Sequence, residues 1–135
     1  MASIYIAARY SAKEDMKRVA AHLENEGHTI TSRWLDEKYS PSVTMDQVAG
    51  EDLVSFAVDD LADIERADVF LLFSVDPLIP TVRGGRHVET GFAIASGKTV
   101  FVVGPKENIF HHLPEVRHHY ELATVVKELK EGSDG

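Results

Sequence analysis

Cysteine is absent from this 135-residue chain. Its absence excludes disulfides, thiolate-bound zinc and thiol nucleophiles, and the fold needs no oxidising compartment. We expect the cytosol. No apolar run approaches the roughly 18 residues that a membrane span needs, and residues Met1 to Ile6 carry no basic segment, so neither a secretory signal nor a membrane partner is expected. Cations are scarce as well: 14 Lys and Arg face 22 Asp and Glu, for a net charge of -8. Long nucleic-acid backbone, which draws on clustered Lys and Arg, is therefore a poor match, whereas a small ligand held by a few local cations stays open. Neither a P-loop with its lysine nor a G-x-G-x-x-G turn occurs, so no ATPase or dinucleotide enzyme is indicated and no cofactor is expected.

What remains is a pattern of short apolar runs alternating with helical segments. The length suits one domain, expected over residues 1–130, with 131–135 as a frayed tail. Ser3 to Ala8 reads as a first strand, and Ser11-Ala12-Lys13-Glu14 as a capping box opening a helix whose Ala12, Met16, Val19, Ala20 and Leu23 recur at helical spacing. Gly27 is placed to stop it. His28 to Trp34 predicts an edge strand with Ile30, Ser32 and Trp34 on one face, followed by a loop over 35–50. A helix from about Glu51 to Arg66 precedes Asp68 to Ser74, a continuous apolar run of the kind found in buried parallel strands.

A loop over Val75 to Gly85 leads to a helix from about Arg86 to Ser96, closed by Gly97, and to a strand at Thr99 to Val103. A short edge strand near Val116 to Tyr120 and a helix from about Glu121 to Glu131 complete the chain. Strands alternating with helices predict an α/β fold, a doubly wound parallel sheet of about five strands with helices on both faces. Its ligand site belongs beyond the carboxyl ends of the strands, at Ala8 to Ser11, Ser74 to Glu89 and Gly104 to Asn108.

Several residues in this frame carry chemistry. Leu53, Phe56, Ala57, Leu61 and Ile64 form one apolar stripe on the second helix, and Asp60 falls near its centre while Asp59 and Asp63 lie further out and are expected to stay solvated. A carboxylate turned inward is either a structural group bonded to backbone N–H or one held for a purpose. Glu89 follows Gly84-Gly85 in the first turn of a helix, where the dipole favours an ionised carboxylate. A nucleophile and simple dipole complementarity both account for that position. His87-Val88-Glu89 matches half of a zinc deaminase site, but without cysteines the other half is missing. The pairs His111-His112 and His118-His119 have no carboxylate at ligand spacing and are expected to be solvent-exposed, so no metal is predicted. Arg9, Arg83 and Arg86 fall in ligand-side loops of an acidic chain and suggest local recognition of an anion.

Taken together, Ile4-Tyr5-Ile6-Ala7-Ala8-Arg9, Asp59-Asp60-Leu61-Ala62-Asp63-Ile64 before Ala67-Asp68-Val69-Phe70, and Gly85-Arg86-His87-Val88-Glu89-Thr90-Gly91-Phe92-Ala93 resemble the nucleoside 2-deoxyribosyltransferase family, which includes the 2′-deoxynucleoside 5′-monophosphate N-hydrolases. The resemblance implies a flavodoxin-like sheet, Glu89 as nucleophile, Asp60 as the aspartate that contacts or protonates the base, and Tyr5 as the tyrosine that hydrogen-bonds the nucleophile. It further implies a nucleoside or nucleotide partner bound by Arg9, Ser11, Arg83, Gly85, Arg86 and His87, and a homo-oligomer, dimer or higher. Arg83 stands six residues before Glu89, where the transferases carry an acidic residue, and the Gly-Ser-Asp-Gly end differs from their aromatic terminus. Both departures count against transfer between free nucleosides and favour a phosphate-bearing substrate, with water or a second base as the acceptor. Of the readings from other classes, a receiver-type signalling domain lacks its paired acids, since the first strand ends in Ala7-Ala8. A nucleotide-binding module without turnover would use the same pocket.

Overall fold

The structure is a computed structural model and describes residues 1–36, 50–78 and 84–134. Five parallel strands form one sheet: β1 (Ser3–Ala7), β2 (Thr29–Ile30), β3 (Val69–Phe73), β4 (Thr99–Val103) and β5 (Val116–His119), in the order β2-β1-β3-β4-β5. This is the flavodoxin-like α/β arrangement. Among the described residues four α-helices accompany it: α1 (Lys13–Asn25), α2 (Gly50–Arg66), α3 (Gly85–Ala95) and α4 (Leu122–Asp134). Right-handed crossovers put α1 on one face and α2 and α3, which pack side by side, on the other. The chain leaves β1 toward one edge and later builds toward the other, so the strand order reverses between β1 and β3. A crevice opens there at the carboxyl ends of the strands.

The core follows from the apolar runs. Ile4, Tyr5, Ile6, Phe70, Leu71, Leu72, Val100, Phe101 and Val102 are all buried, so the central strands are covered on both faces. Gly27 and Gly97 stop α1 and α3 with positive φ (96° and 74°), and in each case the next residue's N–H returns to a carbonyl in the last turn, His28 to Leu23 and Lys98 to Ala93. No described helix is long and apolar enough to cross a membrane.

Three sequence expectations are corrected. The second strand is only Thr29–Ile30, and Trp34 lies in a 3-10 turn over Arg33–Asp36. Side chains replace the missing ladder: Ile6 N–H donates to Ser32 Oγ (3.2 Å), and the Trp34 indole N–H donates to the Ile6 carbonyl (2.7 Å). With both edge groups of β1 satisfied in this way, pairing need not continue. The capping box does not form either, because a 3-10 turn over Tyr10–Ala12 precedes α1, whose N-cap is Ala12 without a side-chain bond. Finally, α4 runs on to Asp134, past the end expected near Glu131. A single Gly132 costs a helix only about 1 kcal/mol, too little to end it alone.

Candidate active site

The crevice is a cleft of about 440 Å³, a size suited to a small organic ligand. Its floor is Tyr5 and Ala8, and its near rim is Arg9 and Tyr10. Trp34 closes one end, Phe56, Ala57, Asp60 and Leu61 of α2 form one wall, and Gly85, Arg86, Val88 and Glu89 of α3 form the other. The stripe on α2 thus splits: Ile64 is core, while Phe56, Ala57 and Leu61 line the opening.

Tyr5 connects the sheet to the α3 wall. Its ring is fully buried and stacked on Phe70 (5.7 Å between centroids), and its hydroxyl donates to Glu89 Oε2 in a short hydrogen bond. Burial, and after it the negative charges of Glu89 and Asp60, push the phenol far above its ordinary range. Tyr5 is therefore a permanent donor, which fixes one Glu89 oxygen. Beside them, Asp60 brings a second carboxyl group to the same cleft.

Asp63, expected to be solvated, is instead completely buried. It accepts from the Arg33 backbone N–H (2.9 Å), from Arg33 Nε (2.8 Å) and from Arg66 Nη2 (2.5 Å). Its carbonyl accepts from Thr31 Oγ1 (2.9 Å). Three N–H donors on one carboxylate account for its burial and lock α2 to the segment that carries Trp34.

A matching anchor lies behind α3. Arg86 lines the cleft but is buried, and it makes a forked contact with Glu107, Nη2 to Oε1 at 2.5 Å and Nε to Oε2 at 3.4 Å. Burial works to raise the Glu107 carboxyl, and the Arg86 bond, a backbone N–H at Val75 and nearby positive charge outweigh it, holding the group below the usual carboxylate range. His87 faces this anchor, with Nδ1 3.3 Å from Asn108 Nδ2 and Nε2 3.6 Å from Glu107 Oε1.

Three further histidines, His111, His118 and His119, have structural partners. His111, expected to be exposed, is buried and accepts the Glu107 N–H at Nδ1 (3.0 Å). Burial first, and Arg86 among the nearby cations, lower both His87 and His111. His118 contacts the Gly104 carbonyl, and His119 contacts Thr124 and Glu128. Among the described residues no group of three His, Asp or Glu side chains is placed to hold a metal ion.

The structure therefore brings Tyr5, Asp60 and Glu89 together with Arg9, Gly85 and Arg86 around one cleft. Arg9 is exposed on its rim. A side chain at Gly85 would meet nothing within 4 Å, so the approach over α3 is open. Ser11 is exposed on the 3-10 turn and does not line the cleft, nor does His87. Arg83 lies outside the described residues. Sequence reasoning passed over Trp34 as a cleft residue, and it included Glu107 only within the ligand-side segment Gly104 to Asn108, with no role of its own. The single tryptophan, at the end of the predicted second strand, was the available signal for the first; nothing in the local pattern marks the part played by the second.

No family model matches the chain, and no curated protein matches it. Solved structures do match its fold. The 2-deoxyribosyltransferase from the psychrotolerant bacterium Bacillus psychrosaccharolyticus is 23% identical with a TM-score of 0.68, over 93% of this chain and 90% of that one. The Clostridium botulinum CMP N-glycosidase BcmB is 18% identical with a TM-score of 0.59, over 95% and 98%. A conserved protein from Enterococcus faecalis V583 is 19% identical with a TM-score of 0.52, over 96% and 87%. The first of these bears the name of the activity to which the sequence resemblance points.

Proposed function

We propose that this chain cleaves the N-glycosidic bond of a 2′-deoxyribonucleoside or its 5′-monophosphate, with Glu89 as nucleophile. The observation that carries the reading is the Tyr5–Glu89 hydrogen bond facing Asp60 across a cleft of nucleotide size. One Glu89 oxygen, held by Tyr5, cannot rotate away, and the carboxylate attacks C1′ as the C1′–N bond breaks through an oxocarbenium-like transition state. Asp60 gives its proton to the departing base, and the sugar remains as an ester on Glu89. Water then attacks C1′, loses its proton to Asp60 and frees Glu89, so the anomeric configuration is retained. A second base in place of water makes the reaction a transfer.

Arg9 supports a 5′-phosphate, since an exposed guanidinium on the rim is suited to charge-assisted, bidentate bonds. Arg86 is committed to Glu107 and has no part in that assignment. Leu61 on α2 and Val88 on α3 line the cleft, Val54 and Val58 lie further round α2, and all four are exposed apolar side chains, over which we place a second copy of the chain.

The test is to incubate the protein with each deoxynucleoside and deoxynucleoside 5′-monophosphate, with and without a second base, and follow free base by chromatography. Base release from a monophosphate without a second base is expected. Arg9→Ala should raise KM for the monophosphate roughly tenfold while hardly changing it for the nucleoside, the loss of one charge-assisted contact. Binding without any base release would identify a nucleotide-binding module instead. Equal cleavage of nucleosides, accelerated by a second base, would identify a transferase.

A further inference from the structure

We propose that Glu107 is a positioning residue for Glu89, acting by holding Arg86 away from it. The inference rests on the reading of Glu89 as nucleophile. Arg86 and Glu89 are three residues apart on α3, so their side chains are neighbours on the helix surface, and both line the cleft. A guanidinium beside a carboxylate forms a strong ion pair unless something else engages it. Such a pair would tie up the attacking oxygen and lower its basicity, and a nucleophile weakens on both counts.

Glu107 engages that guanidinium. The fork is dry at both ends, with Arg86 and Glu107 side chains only 3% and 8% exposed. Glu107 is held in turn on the β4–β5 connection: its N–H donates to buried His111 Nδ1, and the Asn108 side chain accepts from Phe110 N–H (2.9 Å) to fix the 3-10 turn over Ile109–His112. A segment outside the cleft thus neutralises and retains the cation nearest to Glu89 in sequence. Among the described residues, the charged and titratable groups around the cleft at Glu89 include Tyr5 from β1, Arg9 and Tyr10 from the turn after it, Asp60 from α2, Arg86 and His87 from its own helix, and Glu107 behind them.

The experiment follows the Glu89 side-chain carboxyl by carbon NMR through a pH titration in the wild type, in Glu107→Gln and in Arg86→Gln/Glu107→Gln, alongside base release. In Glu107→Gln the released Arg86 should lower the Glu89 titration by about one pH unit. Turnover should fall roughly tenfold or more with KM little changed, the signature of a disturbed attacking group. The double variant, with a neutral pair and no cation, should return the titration to the wild-type position and recover most of the turnover.

An unmoved titration in folded Glu107→Gln, or a double variant no better than the single, overturns the proposal. Should the single variant not fold, the double variant decides alone: a Glu89 titration matching the wild type supports the proposal and a displaced one overturns it. The titration needs no turnover. Expected titrations without base release from any nucleotide would defeat the functional reading and leave the positioning intact. Base release with an unmoved titration would do the reverse.

Discussion

Asp60 and Asp63 sit three residues apart on α2 and have opposite surroundings. Asp60 lines the cleft, whereas Asp63 is sealed behind it under three N–H donors. The same interval recurs on α3, where Glu89 lines the cleft and Arg86 is tied back to Glu107. Each wall of the cleft therefore carries one carboxylate presented to a ligand and one charged residue, on the same helix, that fixes the wall. The two anchors differ in turn. Arg33 and Arg66 leave about half of their side chains in solvent, at 52% and 53% exposed, whereas Arg86 and Glu107 are both dry. A half-solvated anchor can lose a bond and rehydrate, while a dry one cannot, which makes the α3 wall the more sensitive of the two.

The contrast between cleft and anchor is broken most severely at Glu89. Glu89→Gln keeps an acceptor for Tyr5 and removes the proposed nucleophile, so base release should fall by about four orders of magnitude or more while the thermal midpoint stays put. A comparable loss of stability would mean that Glu89 belongs with the anchors. Asp60→Asn is the next largest effect, a roughly 10² to 10⁴-fold drop for natural bases and a smaller one for substrates with an activated leaving group. Equal losses on both substrates would assign Asp60 a structural part only.

Asp63→Asn should reverse the pattern. Losing its charge under Arg33 and Arg66 should lower unfolding free energy by about 2 kcal/mol, discounted because both arginines can be solvated, with a milder effect on turnover in the protein that remains folded. Denaturant midpoints at constant slope measure it.

The smallest effect is a pH dependence of the α3 anchor, which holds two of the three histidines lowered by burial, the third being His28 beside Ala2. His87 and His111 are lowered from 6.5 mainly by burial, so the fold favours their neutral forms. Their contribution is complete above the unfolded value and is lost as pH falls through the lowered ones. Glu107, also lowered, acts in the same direction below its ordinary 4.5. Stability should be level above about pH 6.5 and decline below it, with amide exchange rising first at residues 104–112 rather than at 31–36. Simultaneous acceleration in both segments would remove the distinction between the anchors.

Much of the frame was legible in the residue pattern, and the reasons are local. The run Val69 to Phe73 can be buried on both faces only in a central strand, and Gly27 and Gly97 stand where helices must turn back. Glu89 was visible from its place after two glycines, and the structure sets Tyr5 against it from 84 residues away. What could not be read depends on partners distant in sequence. Periodicity ranked Asp60 above Asp63 for burial, because nothing in the helix announces Arg33, 30 residues earlier. The second strand was overextended because Ser32 and Trp34 look like strand residues, and only their bonds to Ile6 show them replacing the ladder. Arg86 resembled an anion-binding arginine for the same reason: Glu107 is 21 residues further on.

The central claim is that Glu89 becomes covalently attached to a sugar. A deoxynucleotide bearing fluorine at C2′ slows breakdown of such an ester, because the substituent destabilises the oxocarbenium-like transition state through which water attacks. Quenched reactions, digested and analysed by mass spectrometry, should show the peptide carrying Glu89 heavier by the sugar phosphate, with one equivalent of base released per chain. Stoichiometric or catalytic base release with that peptide unmodified at every time, or with the adduct on another residue, would contradict the account.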